Sequence, residues 1–353
     1  MKVSTASFLF VLATLVSAVN AAVTFDWATV GNPGNLGDRQ YVQGQGSFGA
    51  VNYVYRISKH EVTNAQYTEF LNAIDPMGSK PNLGGSDPFL YTHFMFTNAN
   101  GGINFNGGAA NGSKYQVKPG RDNNPVTFVS FFDAMRFTNW LQNGQGSGST
   151  ESGVYTIGSG YSEIRNPSAT YFIPSEDEWY KAAYHKNDGV TANYWRFPTS
   201  THATPYSDQP PGSGSPTQSN TMNSRNDDGI ANGYDDGYAV TGSTSTSSTQ
   251  NYLTDVGAYT ASLSPYGTFD QGGNVLEWNE AAIFQSSFSR GLRGGNWTCS
   301  SSCSIASPPL YSYTGTESEV IGFRVASAVP EPSTNLLVAF ATLGLMIWRR
   351  RLG

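Results

Sequence analysis

Cysteine is almost absent from this 353-residue chain: Cys299 and Cys303 are the two it has. A framework of disulfides is thereby excluded, and the fold has to stand on packing. Charge is scarce as well, with 13% Asp, Glu, Lys and Arg together and a formal balance of -6, so no basic face for nucleic acid is expected. Histidine is limited to His60, His93, His185 and His202, scattered without metal-ligand spacing. His185, near the end of a helix, reads as a favourable C-terminal charge or a surface residue. No phosphate-cradling glycine loop with its lysine is present, nor any internal repeat. What abounds is glycine, 39 residues, beside 20 Tyr, 20 Phe and 7 Trp. That balance describes a loop-rich chain with aromatic anchors, long enough for one sizeable core.

The two ends carry their own signals. Lys2, the apolar stretch Phe8 to Val19 and the small residues Ala18, Ala21 and Ala22 have the order of a secretory signal peptide over residues 1–21. At the other end Val329-Pro330-Glu331-Pro332 precedes an apolar run from Leu336 to Trp348 and then Arg349, Arg350 and Arg351. The arginines are expected on the cytoplasmic side, and the run is short for a permanent span, which suits a transient membrane association. The tail, residues 329–353, resembles the PEP-CTERM sorting signal. That resemblance implies cleavage by an exosortase-type protease and delivery to the outer surface or extracellular matrix of a Gram-negative bacterium.

Between the ends, residues 22–328 are expected to form one domain. Three helix starts place a capping residue three before an acid or amide, followed by helical apolar spacing. They are Thr63 with Gln66, then Tyr67, Phe70, Leu71 and Ile74 up to Pro76; Ser130 with Asp133, then Ala134, Phe137 and Leu141 up to Gly144; and Ser175 with Glu178, then Trp179, Ala182 and Ala183. Strands are expected at Tyr53 to Ser58 and Gly322 to Ala326. Elsewhere Gly, Asn, Ser and Pro punctuate the chain, so regular structure should be a minority. The low-complexity stretches 144–152, 210–218 and 241–249 read as surface insertions.

Six motifs occur in order: Glu61-Val62-Thr63-Asn64-Ala65-Gln66-Tyr67; Pro125-Val126 with Val129-Ser130; Ile173-Pro174-Ser175-Glu176-Asp177-Glu178-Trp179; Gly273-Asn274-Val275-Leu276-Glu277-Trp278; Arg293-Gly294-Gly295-Asn296-Trp297; and Gly322-Phe323-Arg324. Together, over Val51 to Ser327, they resemble the sulfatase-modifying factor, or formylglycine-generating enzyme, domain. The resemblance implies an α+β domain with a C-type-lectin-like core and little regular secondary structure. The tryptophans and glycines of these motifs read as core anchors and close backbone approaches.

The same resemblance implies metal. Oxygen-rich loops suit Ca2+, and the family positions matching Asp270, Gly273, Val275 and Glu277 coordinate it, the glycine and valine through carbonyls. Asn220, Thr221, Asp236 and Tyr238 match a second calcium site, against which stands the equal reading that the acids of residues 227–236 form a solvated loop. In catalytic members a Cu(I)-bound cysteine pair uses O2 to oxidise a sulfatase cysteine to formylglycine, and Cys299 falls at the first of that pair. Cys303 follows after three intervening residues where the family pattern has four, and Asn296 stands where catalytic members carry serine. Three readings of the pair stay open: a local disulfide, as an exported protein allows, a displaced copper site, or two idle thiols. Glu277 and Glu280 pair as acids on paper, although the calcium loop already claims Glu277. Two functions follow from the resemblance, an oxidase acting on an exported sulfatase and a non-catalytic module binding a protein or extracellular polysaccharide.

Overall fold

The computed structural model describes residues 22–39, 47–80, 90–158, 162–282, 288–306 and 309–329; the expected signal peptide and the tail from Pro330 lie outside them. Among the described residues no helix is long and apolar enough to cross a membrane. In chain order the elements are β1 (Trp27–Val30), β2 (Tyr55–Ser58), α1 (Asn64–Ile74), α2 (His93–Thr97), β3 (Ile103–Phe105), β4 (Tyr115–Val117), α3 (Phe131–Gln142), β5 (Tyr171–Phe172) and α4 (Glu176–Tyr184). The second half adds β6 (Tyr206–Ser207), β7 (Thr221–Met222), β8 (Arg225–Asp227), β9 (Asp236–Tyr238), β10 (Leu276–Ala282), β11 (Ser289–Arg293), β12 (Leu310–Tyr313), β13 (Ile321–Gly322) and β14 (Ala326–Ala328), with a 3-10 turn at Ser301–Ser304.

All three expected long helices form, and each has its capping box. The Thr63, Ser130 and Ser175 side chains accept from the backbone N–H three residues on, and Gln66, Asp133 and Glu178 reach back to the cap N–H, satisfying donors that a helix start otherwise leaves open. The apolar stripes of α1 and α3 meet in one core, whereas α4 packs Trp179, Tyr180 and Ala183 against Phe48 and Tyr194 in a second cluster. Tyr67 stacks on Phe137 at 5.9 Å between ring centres, and Phe137 meets Phe323 edge-on at 5.4 Å. The three low-complexity stretches are largely exposed, as surface insertions should be.

Two four-stranded sheets frame the core, in the orders β1-β2-β14-β5 and β12-β11-β10-β13. Sequence patterning predicts one strand over Gly322 to Ala326; the structure divides it. Residue 321–322 pairing is parallel to β10, whereas Ala326 pairs with Ile57 of β2. Between them the chain passes from one sheet to the other, bridged by Val62 N–H to Phe323 O at 2.9 Å and Ser58 N–H to Val325 O at 2.8 Å.

At that crossing Arg324 turns inward, fully buried. Its Nε and Nη2 donate to the two oxygens of Glu277 on β10, at 2.5 and 2.6 Å. Nη1 donates to the Ser58 and Lys59 carbonyls at 3.0 and 3.2 Å, and Nη2 also to Phe269 O at 2.9 Å. All five guanidinium donors are thereby used. Trp179 of α4 adds its Nε1–H to Glu277 at 2.7 Å. Burying an ion pair does not by itself add net stability, but removing one member strands the other in a dry interior. Arg324→Met or Glu277→Leu should each destabilise the domain by about 3–5 kcal/mol, and the two together by less than the sum. Denaturant unfolding of the three variants checks this; additive losses would count against a coupled pair.

Candidate functional site

The segment Asp270 to Glu277 leads into β10, so the loop expected to hold calcium sits directly on the Arg324 crossing. Asp270 and Asn274 both adopt left-handed backbone, at φ 57° and 56°, and the loop is buried. The Asp270 carboxylate accepts from Gly257 N–H at 2.6 Å. Burial raises its pKa to about 6, against the pull of that N–H and of Arg324. Glu61, which the sequence reading singled out only as part of a motif, joins the same cluster. Its Oε1 accepts from Asn274 Nδ2 at 3.2 Å, and its Oε2 is buried without a partner. Burial, then the charges of Asp270 and Glu277, push the Glu61 carboxyl well above its usual range. Three acids thus crowd around one guanidinium. Glu277 has given both oxygens to Arg324 and Trp179, so in this arrangement it is not a free ligand.

The four residues of the second expected calcium site do not share one cavity. Asn220 is held by its own hydrogen bonds, accepting from Thr199 Oγ1 at 2.8 Å and donating to Thr204 O at 3.1 Å. Thr221 lines a cavity of about 10 Å3 with Asp270 and Thr268. Asp236 and Tyr238 line a different cleft of about 280 Å3 beside Asp208, and the Asp236 carboxylate accepts from Gly233 N–H at 2.8 Å. Among the described residues no group of three or more His, Cys, Asp and Glu is arranged to hold a metal ion.

Cys299 and Cys303 are joined to each other across the 3-10 turn, with Cα atoms 6.2 Å apart. The turn lies against the Gly294-Gly295 pair: Ser304 Oγ donates to Gly294 O at 2.7 Å. Gly295 is required there, with φ 71° and a Cβ that would stand 2.6 Å from Ser304 Oγ and 3.2 Å from Cys303 Cβ. Asn296 turns to its own chain, accepting from Thr298 N–H and Oγ1–H at 2.8 and 2.6 Å. A disulfide offers no thiolate, the form that ligates a metal, so Cu(I) would need the pair reduced.

Two sequence expectations are corrected. His185 is neither a surface residue nor a terminal charge: it is completely buried, its Nδ1 is 2.8 Å from the Tyr266 hydroxyl Oη, and burial lowers its pKa. The hydrophobic wall built by Tyr194 and Tyr266 explains why. Glu277 and Glu280 do not act as a pair of acids. They sit three apart on β10, and Glu280 is taken by Arg165 at 2.6 Å, which also binds Glu178 at 2.7 Å. The structure also assembles a cleft of about 400 Å3 at Trp297, walled by Tyr252, Asn98, Asn100, Glu319 and the insertion at Thr246–Ser248. Its residues come from four distant stretches, and the one signal in the sequence was Trp297 itself.

Among solved structures, CarF is similar at a TM-score of 0.50 and 18% identity, with 88% of this chain and 100% of that one covered. Variable protein 1 of Treponema denticola gives 0.45 at 17%, covering 87% and 96%. PvdO of Pseudomonas aeruginosa gives 0.40 at 18%, covering 86% and 92%. At such identities the likeness to CarF speaks to the fold alone. No curated protein matches the chain significantly. The model of the sulfatase-modifying factor enzyme 1-like domain matches residues 50–329, most of the chain and all six motifs, and the protein belongs to that family.

Proposed function

We propose that this chain is a non-catalytic binding module of its family, exported and presented outside the cytoplasm. The observation that carries the reading is the bond between Cys299 and Cys303. It consumes the thiol of Cys299, at the family's first copper position, together with that of the displaced Cys303, and Asn296 beside it is spent on an Asx turn with Thr298. Export rests on Lys2 with the apolar stretch to Val19 and on the Pro330-Glu331-Pro332 tail, which would make an exosortase-type protease a processing partner.

A structural Ca2+ belongs to the same proposal. Its support is the surplus of buried acid at Glu61, Asp270 and Glu277 over Arg324 and the Glu61 Oε2, which is buried without a hydrogen-bond partner among the described residues. Asp270 and the carbonyls of Gly273 and Val275 would hold the ion, while Glu277 would share its carboxylate with Arg324. The ion would supply charge balance and rigidity.

The catalytic alternative is tested by reducing the protein, supplying Cu(I) and O2, and incubating it with a peptide bearing a Cys-x-Pro-x-Arg segment. No formylglycine mass change is expected; a change that disappears in Cys299→Ser and in Cys303→Ser would establish the oxidase instead. For calcium, chelation should lower Tm by about 5 °C, and Asp270→Asn should remove the response. An unchanged Tm after verified metal removal would end the calcium proposal.

A further inference from the structure

We infer that His185 is a pH-sensitive latch: its neutral ring holds the loop 186–193 against the segments at Asn32 and Tyr266, and a proton on the ring releases that loop. His185 caps the C-terminal end of α4, its backbone N–H donating to Lys181 O at 3.1 Å, and its side chain is completely buried. The Asn187 backbone N–H donates to the ring Nδ1 at 3.2 Å. A backbone N–H can only donate, so Nδ1 carries no proton, and the Tyr266 hydroxyl, 2.8 Å from the same nitrogen, donates to it as well. The ring proton therefore sits on Nε2, which faces Thr191 Oγ1 at 3.4 Å.

The residues around that nitrogen also tie the loop down. Asn187, in left-handed backbone at φ 57°, accepts from Asn32 Nδ2 at 2.8 Å and donates to Pro265 O at 3.2 Å. Asn32 Nδ2 donates to the Tyr266 hydroxyl at 3.2 Å, and Leu36 N–H to Thr191 O at 3.1 Å. A proton on Nδ1 replaces the acceptor by a second donor aimed at the Asn187 N–H. The Tyr266 hydroxyl can turn round and accept, whereas the backbone amide cannot, and a buried donor without an acceptor is costly. The charged groups acting on the ring are Lys181, one turn earlier on α4, and Asp188 in the loop; Tyr194 and Tyr266 are the titratable rings packed against it. Lys181 donates to Asn32 O at 2.9 Å, and burial lowers its pKa to about 8, so at neutral pH it is a cation that opposes a second charge. Asp188 favours that charge, but Thr191 and Asn193 already engage its carboxylate and hold it below its usual range, so it stays ionised. Burial first and Lys181 second depress the imidazole pKa in the closed form; in water the ring returns to about 6.5. The closed loop thus keeps its full stability above about pH 6.5 and loses it as pH falls, because the open form takes the proton first.

Backbone hydrogen exchange of the full chain between about pH 5 and 8, corrected for the intrinsic pH dependence of exchange and read at the Asn187 and Leu36 amides, tests the latch, with the α3 amides as internal reference. Protection of Asn187 and Leu36 is expected to fall by up to about tenfold per pH unit below about pH 6.5, with α3 unchanged. His185→Asn keeps a side-chain acceptor for the N–H two residues on and does not titrate; it should abolish the loop's response while leaving any acid response at Asp270 in place. Tyr266→Phe removes a donor that favours the neutral ring and should move the transition to higher pH, which keeps the test decisive should His185→Asn fold poorly. Nitrogen-15 NMR of the imidazole at the neutral end of the range should find the proton on Nε2. Loop protection independent of pH, a response that persists in His185→Asn, a transition unmoved in Tyr266→Phe, or a protonated Nδ1 in the neutral ring would overturn the inference.

Discussion

The bidentate pair between Arg324 and Glu277 is the constraint on which the rest of this domain hangs. Neither side chain reaches water, and the guanidinium gathers the end of β2, the loop at Phe269 and strand β10 around one point. Because Arg324 lies where the chain leaves one sheet for the other, the pair fixes the relation of the two sheets. Through Trp179 it also fixes α4 against β10. A planar fork with five donors does this in a way that lysine cannot.

From that point the polar interior spreads along β10. Glu277 faces Arg324, Asn279 donates to Glu176 at 2.8 Å, and Glu280 faces Arg165, whose guanidinium lies 3.6 Å over the Phe172 ring. Arg293, opposite Glu277 in the β10–β11 register, binds Glu176 and packs over Tyr180. Each acid on this strand thus has a partner contributed by a different part of the chain. Glu61, outside the strand, keeps one carboxylate oxygen without a hydrogen-bond partner among the described residues. Immediately beyond β11 the Gly294-Gly295 turn carries the chain into Trp297 and then into the Cys299–Cys303 loop. The cysteine link and the cleft are therefore neighbouring products of one backbone path, in which the cross-link restrains the segment that presents the indole.

Local structure was legible in the sequence and distant pairing was not. Capping boxes at Thr63, Ser130 and Ser175 are short-range chemistry, and the helices they announce are present with their apolar residues buried. Gly295 reads correctly as a close approach because the need for a missing Cβ is local too. His185 was misread because its environment depends on Tyr194 and Tyr266, the latter 81 residues away. The 322–326 strand was misread because patterning shows alternation but not which sheet a residue joins. For the site, the Asp270 loop was found as a motif, while its charge partners Glu61 and Arg324 emerged only when the chain was folded, since Arg324 is 47 positions from Glu277. The cleft at Trp297 had no linear signature beyond one tryptophan.

On the binding-module proposal the cysteine pair is a structural cross-link and not a metal site. Mass spectrometry of non-reduced peptides from the protein isolated from the cells that make it, with thiols blocked at lysis, is the test. A fragment in which Cys299 and Cys303 are linked to each other and carry no blocking group is expected. Recovery of both cysteines blocked as free thiols, or of copper retained at the pair, would contradict it.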